Sequence, residues 1–311
     1  GVYASHKRSA GGKIFEALRE TAAVGRRTGM GVEISHLKVM HRRGRTRRDR
    51  AERVLAEIRK LRKSGVDVTF DVHPFPATNT DLASVVIPPR LSEGGRLAER
   101  MKSPAVRRRV RKEVAGKIAW IGGADRITIE LFRPDRSLQG TPLADAAEKR
   151  GVDAVTAAMD LVAEGNARCI FHLMRPQDVS LILSDPNGMI ASDAHVVMSR
   201  GVPVHPRNYG TFPRVLREYV RERTLLTLEE AIRKMTSMPA RKFGLRDRGT
   251  IAPGMKADMV LFDPKKIHER TTFARPHTYP VGIARVVVNG HVAWNGRALS
   301  GRRAGRVIRR G

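Results

Sequence analysis

The chain is poor in cysteine, in aromatics and in acid. Cys169 is the only cysteine in 311 residues, which excludes an internal disulfide and a cysteine-rich structural zinc site. It sits between Arg168 and the apolar pair Ile170-Phe171, so it reads as a small buried residue with nothing to activate it as a nucleophile. A chain without disulfides suits a reducing, cytoplasmic compartment. Aromatics make up 5% of the residues and do not interleave with the basic runs, so a stacking platform for single-stranded nucleic acid is missing. No apolar run approaches the roughly 18 residues that a membrane-spanning helix needs. GVYASHKR at the start has neither the apolar core nor the cleavage pattern of a signal peptide. The chain opens on Gly1 rather than Met, so any targeting segment ahead of it is unread. GxSxG, Walker, GxGxxG and HExxH patterns are also missing, which argues against serine hydrolase, nucleotide-binding and zincin chemistry.

The shortage of acid is the largest anomaly. There are 31 Asp and Glu against 59 Lys and Arg, for a formal net charge of +28. Such a charge suits a polyanion partner such as nucleic acid, or an arginine-rich composition balanced by more acidic sequence elsewhere. The basic residues are scattered over HRRGRTRRDR at 41–50, RRRVRK at 107–112 and the tail GRRAGRVIRR at 301–310. That dispersal, with so few aromatics, disfavours nucleic-acid binding as the primary function.

What is present reads as a globular α/β chain. A hydrophobic fraction of 41% over 311 residues is enough for one large domain or two smaller ones. VYAS alternates and ends at His6, and Ile14, Leu18 and Ala22 then form a helical stripe. VEIS ends at His36, and Val54, Leu55, Ile58 and Leu61 form a second stripe closed by Gly65. VDVTFDV is a third strand, with His73-Pro74 beyond it. Strand and helix alternating at about 30-residue spacing predict parallel βα units, whose post-strand loops carry the chemistry. Residues 86–150 read as an excursion or lid, with a charged helix around 95–115 and a strand at 127–132. Helices are expected at 152–166, 176–184, 211–222 and 228–237. MIASD at 189–193 is expected as a fourth parallel strand. From Gly249 the texture becomes strand-rich, and Asn289-Gly290 between VVV and HVAW predicts a type I′ hairpin. The expected division is residues 1–246 for the α/β part and 247–311 for a small β module.

Three residues stand at strand ends with chemistry to offer. His6 and His36 occupy equivalent positions of successive strands, and neighbouring strands run about 4.8 Å apart. Their imidazoles can share one metal ion through bonds of about 2.0–2.1 Å, or they are ordinary polar residues on a rim. Asp193 ends MIASD, where a carboxylate can exchange a proton with a metal-activated water and a leaving amine, or simply cap a turn. Lys38 and Arg207 can bind an anionic group, Arg207 the better for a carboxylate because of its planar fork. In so basic a chain either is equally a solvated surface charge. His73, His172, His195 and His205 read singly as structural, although His195 lies two residues past Asp193.

These residues lie in segments that resemble the N-acyl-D-amino-acid deacylases (D-aminoacylases) of the metal-dependent amidohydrolases. ASHKR resembles that family's T-H-x-R segment, EISHLKVM its I-S-H-x-K segment, DVHPFPATNT a D-x-Y-P-Y segment and MIASD its S-D on strand eight. HPRNYGTFPRVLREYV, AIRKMTSMPARKFGLRDRGTIAPGMKADMVLFDP and VVVNGHVAWNGRALSGRRAGRVIRR are similar to its C-terminal half. The likeness covers most of the chain and is weakest at about 86–165.

The resemblance implies a TIM-like (β/α)8 amidohydrolase barrel beside a small β-sandwich. It implies zinc-dependent hydrolysis of N-acyl-D-amino acids to a D-amino acid and a carboxylic acid. His6 and His36 would be metal ligands on strands five and six, and Asp193 the general acid/base. Arg207 would bind the substrate's α-carboxylate, with Lys38 in the site. His73 stands where the family has a substrate-contacting Tyr, and Asn79 where it often has Ser, which puts side-chain and acyl preference in question. The family's H-x-H on strand one and its bridging Cys precede T-H-x-R, whereas five residues precede His6 here. The expectation is therefore a partial barrel, short of metal ligands and impaired in activity, that exposes strand edges unless an oligomer or a missing N-terminal half covers them. A cyclic-amide hydrolase of the dihydroorotase or hydantoinase kind, and a non-catalytic basic protein that binds nucleic acid, are the rival readings.

Overall fold

The computed structural model describes residues 1–40, 49–195 and 204–308. The basic run at 41–48 and residues 309–311 of the basic tail lie outside them. β1 (Val2–His6), α1 (Ile14–Thr28), β2 (Gly31–Ser35), α2 (Arg50–Lys63) and β3 (Val68–Val72) form the first βα units. The chain then runs through β4 (Thr78–Asp81), α3 (Leu82–Val86), α4 (Leu97–Lys102), α5 (Pro104–Ile121), β5 (Ile127–Leu131), α6 (Leu143–Lys149), α7 (Ala154–Glu164) and β6 (Arg168–Phe171). It returns by α8 (Pro176–Ser184) to β7 (Gly188–Ile190), then α9 (Arg207–Arg214), a π-helical stretch Val215–Glu222, α10 (Leu228–Met235) and α11 (Ser237–Lys242). β8 (Met259–Phe262), β9 (Ile283–Val288) and β10 (His291–Trp294) close the described chain.

β1, β2, β3 and β7 pair in that order, all parallel. Side chains alternate across the pleat, and the two faces differ in kind. Val32, Ile34, Val68, Phe70, Val72 and Ile190 are buried in one apolar cluster with Ile14 and Leu18 of α1 and Val54 and Ile58 of α2. The residues between them face the other way: Ala4 pairs with Glu33, Glu33 with Thr69, His6 with Ser35, and Asp71 with Met189. The helix-covered face holds the sheet together, and the other face carries most of the polar groups. α1 stops where Gly29 takes φ +69 and returns its N–H to the Gly25 carbonyl, the left-handed cap that glycine adopts at little cost.

Of the excursion expected at 86–150, β5 joins a sheet with strands on either side of those bounds. β4, β6 and β5 form a separate antiparallel sheet in that order. Beneath it lies a second apolar cluster that includes Leu82, Val110, Val114, Phe132, Leu161 and Cys169. β4 (TNTD) has no apolar alternation and β6 (RCIF) is four residues long, so neither carries a strand signal. MIASD forms a shorter strand than expected: β7 ends at Ile190, and Ala191 N–H still donates to the Val72 carbonyl at 3.1 Å. The helix expected at 211–222 begins at Arg207, contains Pro213 and widens into π geometry at Val215, as fits a proline that supplies no N–H to the ladder. The hairpin at Asn289-Gly290 is as predicted, with φ +46 and +78 between β9 and β10. Among the described residues no helix is long and apolar enough to cross a membrane.

Candidate active site

His6 is the last residue of β1, and His36 is the first residue beyond β2. Their rings meet edge to face, with centroids 4.4 Å apart and His6 Nδ1 2.7 Å from His36 Nε2. Burial, then the nearby charges of Lys38 and Lys7, lowers the pKa of both, that of His36 to about 2. Both imidazoles are therefore neutral at pH 7. His36 Nδ1 is buried without a hydrogen-bond partner.

Asp193 lies three residues past β7 in the left-handed region, at φ +49, and His36 sits at φ +38. Positive φ is uncommon outside glycine and collects at working sites. Arg207, 3% exposed at the start of α9, brings Nη1 to 2.8 Å from Asp193 Oδ2. Its Nε is buried and unpaired. Lys38 is buried too and donates to Thr78 Oγ1 at 2.9 Å. Burial, opposed by Asp193, lowers its ammonium to about 8.

These five side chains line one cavity of about 930 Å³. One wall is the strand-end rim; the other comes from β4, α5 and β6, through Asn79, Trp120 and Arg168 among others. His195 lies on the rim side, and Arg168 donates to its Nε2. His73 is not among the lining residues. It is 3% exposed and packs against His205 at 5.9 Å between centroids, so the substrate contact expected for it is not seen in this geometry. His205 is fixed by structure: its Nδ1 accepts from Arg207 N–H at 3.1 Å and its Nε2 donates to the Ala77 carbonyl at 3.1 Å. His172 packs on Phe273 at 5.1 Å. Cys169 is fully buried, and burial pushes its thiol pKa up, as its apolar neighbours predict.

Two buried groups, Lys7 on the cavity wall and Glu130 outside its lining, were not foreseen. Lys7 is 2% exposed, and burial lowers its pKa to about 7. Nothing marks it in a chain with 59 basic residues. Glu130 on β5 accepts from Asn79 Nδ2 and from His205 N–H at 2.6 Å, and it pairs ionically with Arg168, whose Nε lies 3.2 Å away and donates to Asn79 Oδ1. This network crosses between β4, β5, β6 and the segment before α9, so it depends on pairings that the sequence does not signal.

The donor set suits a borderline-soft divalent ion in kind. Two neutral imidazoles with nitrogens turned toward each other are the usual nitrogen half of a zinc site. Among the described residues no group of three or more His, Cys, Asp or Glu is gathered to hold a metal.

The Amidohydrolase family profile matches residues 141–293. The chain is 35% identical over 309 residues to N-acyl-D-glutamate deacylase of Alcaligenes xylosoxydans xylosoxydans, covering 99% of this chain and 54% of that protein. It is 34% identical to D-aminoacylase from the same organism, covering 100% of this chain and 55% of the relative. It superposes on N-acyl-D-glutamate deacylase from Bordetella bronchiseptica, solved with zinc and a phosphonate mimic of the reaction's tetrahedral intermediate. That match has a TM-score of 0.79 at 32% identity and covers 99% of this chain and 56% of the other. The chain spans about half the length of the curated relatives it matches. On sequence and on fold, the chain is similar to the N-acyl-D-amino-acid deacylases, and its residues 141–293 match the amidohydrolase family model.

Proposed function

We propose that this cavity takes part in the hydrolysis of N-acyl-D-amino acids to a D-amino acid and a carboxylic acid. The observation that carries the reading is the neutral His6–His36 pair lining one cavity with the Asp193–Arg207 ion pair. His6 and His36 would hold zinc, and any further ligands would come from outside the described residues or from a second chain. Zinc, when bound, polarises a carbonyl and brings the pKa of a water to about 7. Two imidazoles alone hold it weakly, since catalytic sites use three protein ligands, so the described residues by themselves support little turnover.

The remaining steps belong to side chains on the page. Arg207 presents a buried, unpaired Nε and a guanidinium fork, and it would grip the substrate's α-carboxylate with Lys38 beside it. Gripping the carboxylate would orient the scissile amide toward the histidine pair. Asp193 would accept a proton from the attacking water at Oδ and return it to the leaving nitrogen. Its contact with Arg207 would tie proton transfer to substrate recognition.

A panel of N-acetyl-D-amino acids, their L enantiomers and a cyclic amide tests the reading, run on the zinc-supplemented protein. Slow hydrolysis confined to the linear D series, and lost in Asp193→Asn, is expected. Hydrolysis of the cyclic amide in preference to the linear ones, or an Asp193→Asn variant as active as the parent, would refute it.

A further inference from the structure

We propose that Lys7 and Asp71 are positioning residues that clamp the backbone of His36 from both sides and thereby aim its imidazole at His6. The inference rests on the reading of His6 and His36 as the working pair, and it adds two residues that this reading does not use.

His36 stands at φ +38, a conformation uncommon outside glycine and sustained where the surroundings fix it. Its N–H donates to Asp71 Oδ1 on β3 at 2.8 Å. Its carbonyl accepts from Lys7 Nζ, beyond β1, at 3.0 Å, and the same ammonium reaches the Ser35 carbonyl at 3.4 Å. The next N–H, of Leu37, donates to the Asp71 carbonyl at 2.6 Å. Both peptide groups flanking the His36 Cα are thus held by side chains, Asp71 of β3 and Lys7 just beyond β1, while its ring meets that of His6. Released from the clamp, the residue relaxes toward an ordinary extended or helical φ and its ring swings away from His6. The situation of Lys7 favours a role of this kind. A buried ammonium is costly unless it is well partnered, and this one directs its hydrogen bonds to the two carbonyls that shape the turn.

The test reads the ring pair without any metal. In protein labelled with ¹⁵N-histidine, the 2.7 Å contact gives a through-hydrogen-bond coupling between His6 Nδ1 and His36 Nε2. Asp71→Ala and Lys7→Met should each lose that coupling while the far-UV circular dichroism stays that of the parent. Asp71→Asn, whose amide oxygen can still accept the His36 N–H, should keep it. Either of the first two variants, folded and with the coupling intact, overturns the proposal, as does a folded Asp71→Asn that loses it. Should both disruptive variants fail to fold, hydrogen exchange on the unmodified chain decides. A His36 amide protected at least tenfold beyond exposed loop amides supports the clamp, and an unprotected one overturns it. Zinc titration of the same samples separates this proposal from the functional one: coupling present without zinc uptake supports the clamp and refutes the zinc reading.

Discussion

Arg207 is the most consequential single side chain in the cavity. Its guanidinium is almost fully buried, and Asp193 is the carboxylate within ion-pair reach among the described residues. A substrate carboxylate would meet a desolvated, planar cation, where lysine is a poor replacement. Arg207→Lys should therefore raise KM about tenfold, or about 1.4 kcal/mol of binding, in steady-state kinetics with an N-acetyl-D-amino acid. An unchanged KM would remove Arg207 from recognition. A second expectation concerns acid. Burial, and then the charge of Arg207, holds His73 and His205 well below the ordinary histidine pKa. In the unfolded chain both return to about 6.5. Below that pH the unfolded state takes up protons that the folded state refuses, so stability present above pH 6.5 is lost as pH falls. The urea midpoint should drop between pH 7 and pH 5, with a slope of up to about 1.4 kcal/mol per pH unit for each histidine, and His73→Gln should flatten it. At this scale the strand-end residues were legible because βα alternation fixes which side chains stand at the rim. Lys7 and Asp71 were not, because their roles lie in contacts to a backbone whose φ no sequence pattern announces.

The elements that carry the site are legible in proportion to their apolar period. α1 and α2 follow from stripes of fully buried residues, and β2 and β3 from alternation with one face on those helices. β4 and β6 escape because strands of four residues, the first of them polar, gain their stability from their neighbours rather than from their own composition. β7 shows what element packing demands. Gly188 opens it against Phe70, and a Cβ there would lie 2.5 Å from the Phe70 ring. Gly188→Ala should cost about 1–3 kcal/mol by overpacking, read as a lower urea midpoint, and should disturb the strand that leads to Asp193. A variant as stable as the parent would mean that β3 and β7 are not packed as described. α10 offers a milder case, since Thr227 caps it by accepting from Glu230 N–H at 3.1 Å. Thr227→Ala should lose about 1 kcal/mol and leave zinc binding unchanged.

For the whole molecule, the net charge of +28 and the cavity make different demands. Any affinity for nucleic acid that comes from the charge alone should fall steeply with salt and ignore metal. Chemistry at the cavity should depend on metal and vary little with salt at a buried site. The four parallel strands place two imidazoles, a carboxylate and a guanidinium at one end of one sheet. On the proposed function, His6 and His36 bind zinc. Zinc titration of the purified chain against His6→Ala and His36→Ala, followed by competition with a chromophoric chelator, tests it most directly. Weak zinc binding by the parent, lowered at least tenfold by either substitution, is the predicted result. Equal zinc affinity in the parent and in both variants would contradict it.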